Sequence, residues 1–104
     1  MPVTTIAGHE VHVDEEGFLT SPQEWTPELA RTLAENIGIE LTDEHMKVIE
    51  FLRADYEQTG ETATIRRVQT VGGFPTKQLF QLFPKKPAKK MSYIAGLPKP
   101  HGCV

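Results

Sequence analysis

The stretch TDEHMKVIEFLRADYEQTG, residues 42–60, carries the fold assignment, because it predicts a helix longer than the others in the chain. Thr42-Asp43-Glu44 is a helix-start signal and Gly60 is a helix-stop signal. Between them, apolar residues recur at the spacing of one helix face, with Val48 and Phe51 beside it. The residues of that face are Met46, Ile49, Leu52 and Tyr56. We assign this stripe to the core.

Two helix-start signals precede this helix. Ser21-Pro22-Gln23-Glu24 has the spacing of a capping box, with its proline suited to the first helical position, and Trp25 is expected to anchor this short turn in the core. Thr26-Pro27-Glu28 then predicts a capped helix that runs to about Asn36 and stops at Gly38. Its buried stripe recurs every four residues, at Leu29, Leu33 and Ile37.

The residues after Gly60 predict two short helices. The first covers residues 62–71, and the second is capped by Thr76, covers residues 76–83 and stops at Pro84. The expected inward residues are Ile65, Val68, Val71, Leu79, Leu82 and Phe83, with Arg66 and Arg67 outside. Short helices joined by tight turns are typical of a helix-turn-helix arrangement. Basic residues here suit phosphate contacts, but no helix is rich in base-reading side chains, so specific DNA binding is a minor alternative.

A basic segment, residues 85–90, follows Pro84 and contains four lysines. It is predicted as a connector, and residues 91–95 are predicted as a last helical turn. Two interpretations of the connector stay open. It is either a solvated linker or a docking element for an acidic groove on a partner or an RNA backbone.

The N-terminal residues 4–19 predict a β-hairpin. Residues 4–6 and 11–13 are the expected strands, with turn chemistry at Gly8, and residues 14–17 form a second turn before Phe18 and Leu19 re-enter the core. Val11 and Val13 share one strand face. His9 and His12 lack a nearby third ligand, so we interpret them as surface histidines rather than a metal site.

Composition limits the class of protein. A chain of 104 residues with 38% hydrophobic and 24% charged residues is typical of one soluble domain. It has no apolar run of membrane-spanning length and no signal-peptide pattern. Its single cysteine, Cys103, excludes an internal disulfide and falls far short of a metal cluster, so we expect a cytoplasmic protein without a metal or cofactor.

Charge is divided unevenly along the chain. Residues 1–61 contain 3 basic and all 14 acidic residues, a net charge of 3 − 14 = −11, whereas residues 62–104 contain 8 basic residues and no carboxylate side chain. This asymmetry indicates an anionic partner for the basic half, or an attraction between the two halves of the folded domain. Both alternatives are compatible with the sequence.

The last nine residues, Gly96-Leu97-Pro98-Lys99-Pro100-His101-Gly102-Cys103-Val104, have none of the features expected of a core segment. The two prolines favour an extended path, and Gly102 frees the backbone before the thiol. A lone cysteine is often a small buried hydrophobe, but a penultimate position favours an exposed, reactive thiol. We therefore predict one globular domain, residues 1–95, and a flexible C-terminal arm, residues 96–104.

Two segments carry a resemblance to a known family. Residues 95–104, AGLPKPHGCV, and residues 72–84, GGFPTKQLFQLFP, closely resemble the two signatures of the DsrC/TusE family of sulfur-relay proteins. The resemblance covers nearly the whole chain. It implies an α+β, mainly helical fold, an orthogonal helical bundle with an N-terminal hairpin. The helix and strand signals of the sequence predict the same elements.

The resemblance also implies a function. Cys103 would be a sulfurtransferase's persulfide carrier, loaded by a sulfur-donor complex of TusBCD/DsrEFH type and unloaded to a tRNA-thiolating enzyme that makes wobble 2-thiouridine. DsrC-type members instead work with dissimilatory sulfite reductase and use a second cysteine eleven positions earlier. Ser92 stands there in this chain, which favours the relay role.

The residues around the thiol suggest supporting roles. Lys99 and protonated His101 would favour the thiolate. The resemblance assigns partner docking or arm positioning to Arg66, Lys77 and Lys99, and we add His101 to that group. Two other functions stay open. One is a small partner of sulfite reductase or a heterodisulfide-reductase-like complex, and the other is a nucleic-acid-binding module whose thiol is incidental.

Overall fold

A computed structural model describes residues 3–6 and 8–98 of the chain. Its elements, in order, are strands β1 (Val3–Ile6) and β2 (His9–His12), a 3-10 helix (Pro22–Glu24), and helices α1 (Pro27–Asn36), α2 (Asp43–Thr59), α3 (Ile65–Thr70), α4 (Thr76–Leu82) and α5 (Pro87–Ile94). The predicted class, α+β and mainly helical with an N-terminal hairpin, is confirmed. No helix in the described part of the chain is long and apolar enough to cross a membrane.

The hairpin forms with a tighter turn than predicted. β1 and β2 are antiparallel, with Val3 opposite His12 and Ile6 opposite His9, so β2 begins two residues before the expected Val11. Val11 and Val13 are buried and His12 is exposed, as the alternation predicts. The second turn is also confirmed, because Asp14 Oδ1 accepts hydrogen bonds from the backbone N–H groups of two residues that follow it.

The predicted capping box at Ser21 is wrong. The Ser21 side chain makes no cap hydrogen bond. The Glu24 carboxylate turns instead to the hairpin, where it accepts from the backbone N–H of His12 at 2.8 Å and pairs with Nδ1 of His12 at 2.9 Å. This contact joins the 3-10 helix to β2, whereas a capping box would have closed one short turn.

Helices α1 and α2 begin and end as predicted. Thr26 Oγ1 accepts from the backbone N–H of Leu29, and Gly60 ends α2 with a positive φ of 75°. At the start of α2, Thr42 and His45 form a capping box in which the histidine ring replaces the usual carboxylate. The same ring contacts the carbonyl of Leu82 through Nε2 at 2.8 Å. One buried histidine therefore joins α2 to α4.

The core lies between α1, α2, α4 and α5. Its fully buried large side chains include Leu29, Leu33, Val48, Ile49, Leu52, Leu79, Phe83, Met91 and Ile94. The predicted stripe of α2 is confirmed in its centre, while Met46, Phe51 and Tyr56 are only partly buried against the same cluster. Ile37 likewise lies at the margin of the α1 stripe.

The α3–α4 region differs from its prediction in three details. Helix α3 begins at Ile65 rather than at Thr62, and Thr64 is its cap, because Thr64 Oγ1 accepts from the backbone N–H of Arg67. Val71 was expected inside and is 58% exposed, since α3 ends before it. Thr76 is the first residue of α4 and not its cap. Arg67 is only partly exposed and binds Asp55 through two 2.8 Å hydrogen bonds.

The prediction that residues 85–90 form a connector is partly wrong, because α5 begins at Pro87 and not near Met91. Pro87 occupies the first helical turn, which suits a residue without a backbone donor, and Pro87 and Ala88 are both buried. Only Lys85 and Lys86 remain as a link, and both have a positive φ, at 58° and 49°. The start of this helix was not predicted, because lysines dominate the segment and its buried apolar face is small.

We predict that Glu24→Gln weakens the attachment of the hairpin in a pH-dependent manner. The hydrogen bonds from His12 lower the pKa of Glu24 below its ordinary value of 4.5. A carboxyl group with a lowered folded-state pKa stabilises the fold above its unfolded-state pKa and loses that effect as pH falls through the folded-state value. The difference in unfolding free energy between wild type and variant should therefore be largest near pH 6–7 and should shrink below about pH 4. A pH-independent difference, in denaturant melts, would contradict this assignment.

Candidate functional site: the base of the C-terminal arm

Three of the predicted site residues, Lys99, His101 and Cys103, lie outside the described residues. Pro98 is the last described residue. Cys103 lies five positions beyond it. The structure therefore shows how the body holds the chain that leads to Cys103, and the assignment of these three residues stays a prediction.

The first residues of the predicted arm pack in the body. Gly96 is buried and Leu97 is 1% exposed and belongs to the main core cluster. The expectation that residues 96–98 lie outside the core is therefore wrong for these two. The division into a domain and an arm is kept as a prediction for residues 99–104 alone.

Helix α5 ends in a Schellman motif. The backbone N–H of Gly96 donates to the carbonyl of Tyr93 at 3.2 Å, and that of Leu97 donates to Ser92 at 3.1 Å. Gly96 has the positive φ, 70°, that the motif requires. Pro98 follows and cannot continue a helix. This local sequence turns the chain away from α5 at a defined residue.

Two side chains from distant elements hold the end of α5. Trp25 Nε1 donates to the carbonyl of Ile94 at 2.8 Å, and Arg53 Nη1 donates to the carbonyl of Ala95 at 2.7 Å. The Arg53 guanidinium lies 4.3 Å from the centre of the Trp25 ring and also donates to Pro22 through Nη2 at 2.9 Å. The last carbonyls of a helix lack intrahelical donors and carry partial negative charge, so a tryptophan N–H and an arginine suit this position.

Burial affects the pKa of this arginine but not its charge at physiological pH. It lowers the pKa of Arg53 below its ordinary value, and the nearby charge of Glu57 opposes that effect. An arginine remains protonated at physiological pH in either case. Arg53 therefore supplies a permanent positive charge to the C-terminal end of α5.

A third side chain holds the last described residue. Thr62 is 7% exposed, and its Oγ1 donates to the carbonyl of Pro98 at 2.8 Å. Thr62 lies in the link between α2 and α3. We call Trp25, Arg53 and Thr62 the arm clamp, because each donates to a backbone carbonyl between residues 94 and 98.

Two clefts flank the arm clamp. One of about 450 Å³ is lined by Pro22, Arg53, Tyr56, Gly60 and Leu97, among others. A smaller cleft of about 140 Å³ lies beside Thr62, Thr64 and Arg67. No group of three or more His, Cys, Asp or Glu side chains in the described part of the chain is placed to hold a metal ion.

Two other predicted site residues lie on the next two helices. Arg66 is exposed on α3 and Lys77 is exposed in the first turn of α4. No hydrogen bond or ion pair joins either side chain to residues 96–98 within the described ranges. The exposed large apolar side chains of those ranges are Val71, which directly follows α3, and Phe80, which lies in α4. We call Arg66, Val71, Lys77 and Phe80 the α3–α4 surface.

Sequence reasoning placed Trp25 in the core but missed the arm clamp as a unit. Arg53 carried a signal, because it follows Ile49 by four residues and precedes Tyr56 by three, within the apolar face of α2. A charged residue in such a stripe needs a buried partner. Thr62 carried no comparable signal, since its hydrogen bond depends on where the chain end folds.

Comparisons with known proteins show the family. The profile of the "DsrC like protein" family matches residues 5–104. The gamma subunit of dissimilatory-type sulfite reductase from Nitratidesulfovibrio vulgaris is 38% identical over 105 residues, 100% of each chain. Sulfurtransferase TusE from Escherichia coli K12 is 38% identical over 106 residues, covering 93% of this chain and 95% of that one. The NMR structure of Allochromatium vinosum DsrC has a TM-score of 0.81 at 38% identity, covering 98% of this chain and 97% of its own.

The chain therefore belongs to the DsrC-like family. Its relatives include proteins named for sulfite reductase and proteins named for sulfur transfer. The fold expected from the resemblance is confirmed by the solved structure.

The contact between Gly96 and Trp25 gives a test of this geometry. A Cβ at Gly96 would lie 2.4 Å from Cδ1 of Trp25 and 2.8 Å from its Cβ and Cγ. Gly38 ends α1 with a similar φ, +74°, but a Cβ there would meet nothing within 4 Å. We predict that Gly96→Ala lowers the unfolding free energy by roughly 3 kcal/mol, through backbone strain and overpacking, and Gly38→Ala by about 1 kcal/mol, through strain alone. Equal losses in denaturant melts would show that Trp25 does not pack against Gly96.

Proposed function

We propose that the protein is a cytoplasmic sulfur carrier that holds a persulfide on Cys103. The observation that supports this proposal most is the family match. It extends to residue 104 and so includes the signature whose penultimate residue is Cys103. Names of relatives as a sulfurtransferase and as a sulfite reductase subunit support sulfur chemistry at this position. The arm clamp supports the same function, because it holds the base of the segment that bears the thiol.

The transfer needs no oxidant or reductant. The Cys103 thiolate attacks the outer sulfur of a donor persulfide, R–S–SH. A sulfur–sulfur bond forms on Cys103 while the donor's sulfur–sulfur bond breaks, and the electron pair leaves with the donor thiolate. The reverse exchange with an acceptor thiolate then releases the sulfur and regenerates Cys103. Exposure and thiolate fraction control the rate of such exchanges, which is the role proposed for Lys99 and His101.

Residue 92 supports a relay function over a sulfite-reduction function. Ser92 is fully buried in α5, and its Oγ donates to the carbonyl of Ala88 at 2.7 Å. The chain has no cysteine besides Cys103, so it forms no intramolecular disulfide or trisulfide. A persulfide that stays on one thiol suits passage from one protein to the next.

We infer the direction of the relay from the family resemblance, and residue 92 favours its relay branch. The donor is a sulfurtransferase complex of TusBCD/DsrEFH type, and the acceptor is a tRNA-thiolating enzyme that makes wobble 2-thiouridine. The second candidate is a gamma-type partner of dissimilatory sulfite reductase or a heterodisulfide-reductase-like complex, which the name of the Nitratidesulfovibrio vulgaris relative supports. Stable co-purification with a sulfite reductase would favour the second candidate.

The α3–α4 surface is the proposed partner-docking region. Arg66 and Lys77 supply exposed positive charge, and Val71 and Phe80 are 58% and 49% exposed. No carboxylate side chain occurs from Thr62 to the end of the sequence. A surface that combines cations with exposed apolar side chains suits an acidic protein partner with an apolar recess.

We predict that wild type gains the mass of one sulfur atom after incubation with glutathione persulfide, and that Cys103→Ser gains none. The reason is that Cys103 is the only cysteine in the sequence, and a thiol is needed to accept the sulfur. Intact mass spectrometry under denaturing conditions, followed by peptide mapping, measures the product. Sulfur uptake by Cys103→Ser would overturn the proposed function.

Charge reversal tests the docking role. Arg66→Glu combined with Lys77→Glu should raise KM for a loaded donor complex about ten-fold at low salt, with little change in kcat, because rim charges act mainly on encounter. The difference should diminish as salt rises. Arg31→Glu, an exposed site on α1, is the matched control. An unchanged KM, or salt-sensitive duplex DNA binding that the same substitutions abolish, would speak against a protein-docking surface.

A further inference from the structure

The arm clamp joins three separate parts of the fold to one short stretch of backbone. Trp25 follows the 3-10 helix, Arg53 lies in the middle of α2, and Thr62 lies between α2 and α3. They donate to three different carbonyls, those of Ile94, Ala95 and Pro98. Hydrogen bonds to carbonyls fix the path of the backbone, whatever side chains it carries.

Thr62 binds a carbonyl that lies after the end of α5 and its Schellman motif. The Schellman bonds of Gly96 and Leu97 already complete the helix end, and Leu97 is already in the core. The hydroxyl of Thr62 then holds the next carbonyl, that of Pro98. Its bond is not needed to satisfy a carbonyl of α5. What it determines is the point and direction at which the chain leaves the described body.

We propose that Trp25, Arg53 and Thr62 are positioning residues for sulfur transfer by Cys103. This inference rests on the proposed function. Cys103 follows Pro98 by five residues, so its Cα lies within about 18 Å of the Pro98 Cα however the chain runs. A fixed Pro98 therefore defines the volume that the sulfur can reach, and a docked partner must place its thiol inside that volume. Loss of the clamp enlarges the volume and lowers the fraction of docked complexes that react.

The Thr62 position gives the sharpest test. Thr62→Val keeps the shape of the side chain and removes its donor, whereas Thr62→Ser keeps the donor. Thr70→Val is the matched control, since Thr70 Oγ1 also donates to a backbone carbonyl, that of Arg66 at 2.9 Å within α3. Each variant is loaded by two donors, glutathione persulfide and a persulfide-loaded complex of TusBCD/DsrEFH type.

We expect Thr62→Val to lower kcat for the protein donor about ten-fold, with KM unchanged, because misplacement acts after docking. The rate with glutathione persulfide should equal that of wild type, since a small donor needs no fixed exit point. Thr62→Ser and Thr70→Val should transfer like wild type. If Thr62 contributed only to stability, Thr62→Val would not lower kcat selectively for the protein donor. The ratio of the transfer rates with the two donors would then equal that of wild type.

Arg53→Lys supplies a second, independent variant. Lysine keeps the positive charge but not the planar pair of donors that reaches Ala95 and Pro22 together. It should show the same selective loss with the protein donor, while Arg31→Lys on exposed α1 should not. Thermal melts confirm that each variant is folded at the assay temperature, and the Thr62 series decides the question if Arg53→Lys is not.

The outcomes separate this inference from the proposed function. Equal kcat for wild type and Thr62→Val with the protein donor overturns the positioning role and leaves Cys103 as a sulfur carrier. An equal loss with both donors also overturns it, because the effect would then lie in the thiol and not in its delivery. If wild-type Cys103 accepts sulfur from neither donor, the proposed function fails and the positioning role fails with it.

Discussion

The structure depends on the hydrogen bonds that Trp25 and Arg53 make to the last carbonyls of α5. These bonds join the segment before α1, the middle of α2 and the end of the chain, which are far apart in sequence. The aromatic ring and the guanidinium also contact each other, so neither donor is positioned alone. Breaking either one would leave a partly buried carbonyl without this donor, which is more costly than losing a surface contact.

Part of the charge asymmetry is used in attraction between the two halves of the chain. Two described ion pairs cross between the halves, Arg67 with Asp55 at 2.8 Å and Lys89 with Glu16 at 3.7 Å. Asp55 is buried and paired through two hydrogen bonds, which raises the pKa of Arg67 above its ordinary value. Arg66 and Lys77 instead are exposed. Internal attraction thus uses part of the basic half, and another part faces the solvent, where the proposed docking would use it.

How far the sequence alone determines the fold differs from element to element. Helices α1 and α2 were predictable almost to the residue, because cap, stripe and stop signals agreed in each. The start of α5 was not, because its lysines outweighed a short apolar face in composition. Glu24 had the spacing of a capping box but binds His12, a partner twelve residues away in another element. Local patterns cannot choose between a near and a distant N–H donor for the same carboxylate when both donors are chemically equivalent.

The site divides in the same way. The family signature pointed to Cys103 without any structure, since ten consecutive residues with a penultimate cysteine carry the resemblance. The clamp that holds its base could not be found from sequence, because a threonine hydroxyl finds a carbonyl only after the tertiary fold has formed. Gly96 and Leu97 were misassigned for a related reason. A glycine and a proline around a single leucine suggest an exposed link, whereas the Schellman geometry turns that leucine inward.

The position of Thr62 connects the arm to the docking surface. Thr62 holds Pro98, Thr64 caps α3 two residues later, and Arg66 is exposed on that helix. Four residues separate Thr62 from Arg66, so their Cα atoms lie within about 14 Å of each other. In the proposed function, a partner docked at Arg66 would therefore lie near the residue that holds Pro98. The proposed docking residue and the proposed positioning residue thus belong to one short segment, in which the cap of α3 lies between them.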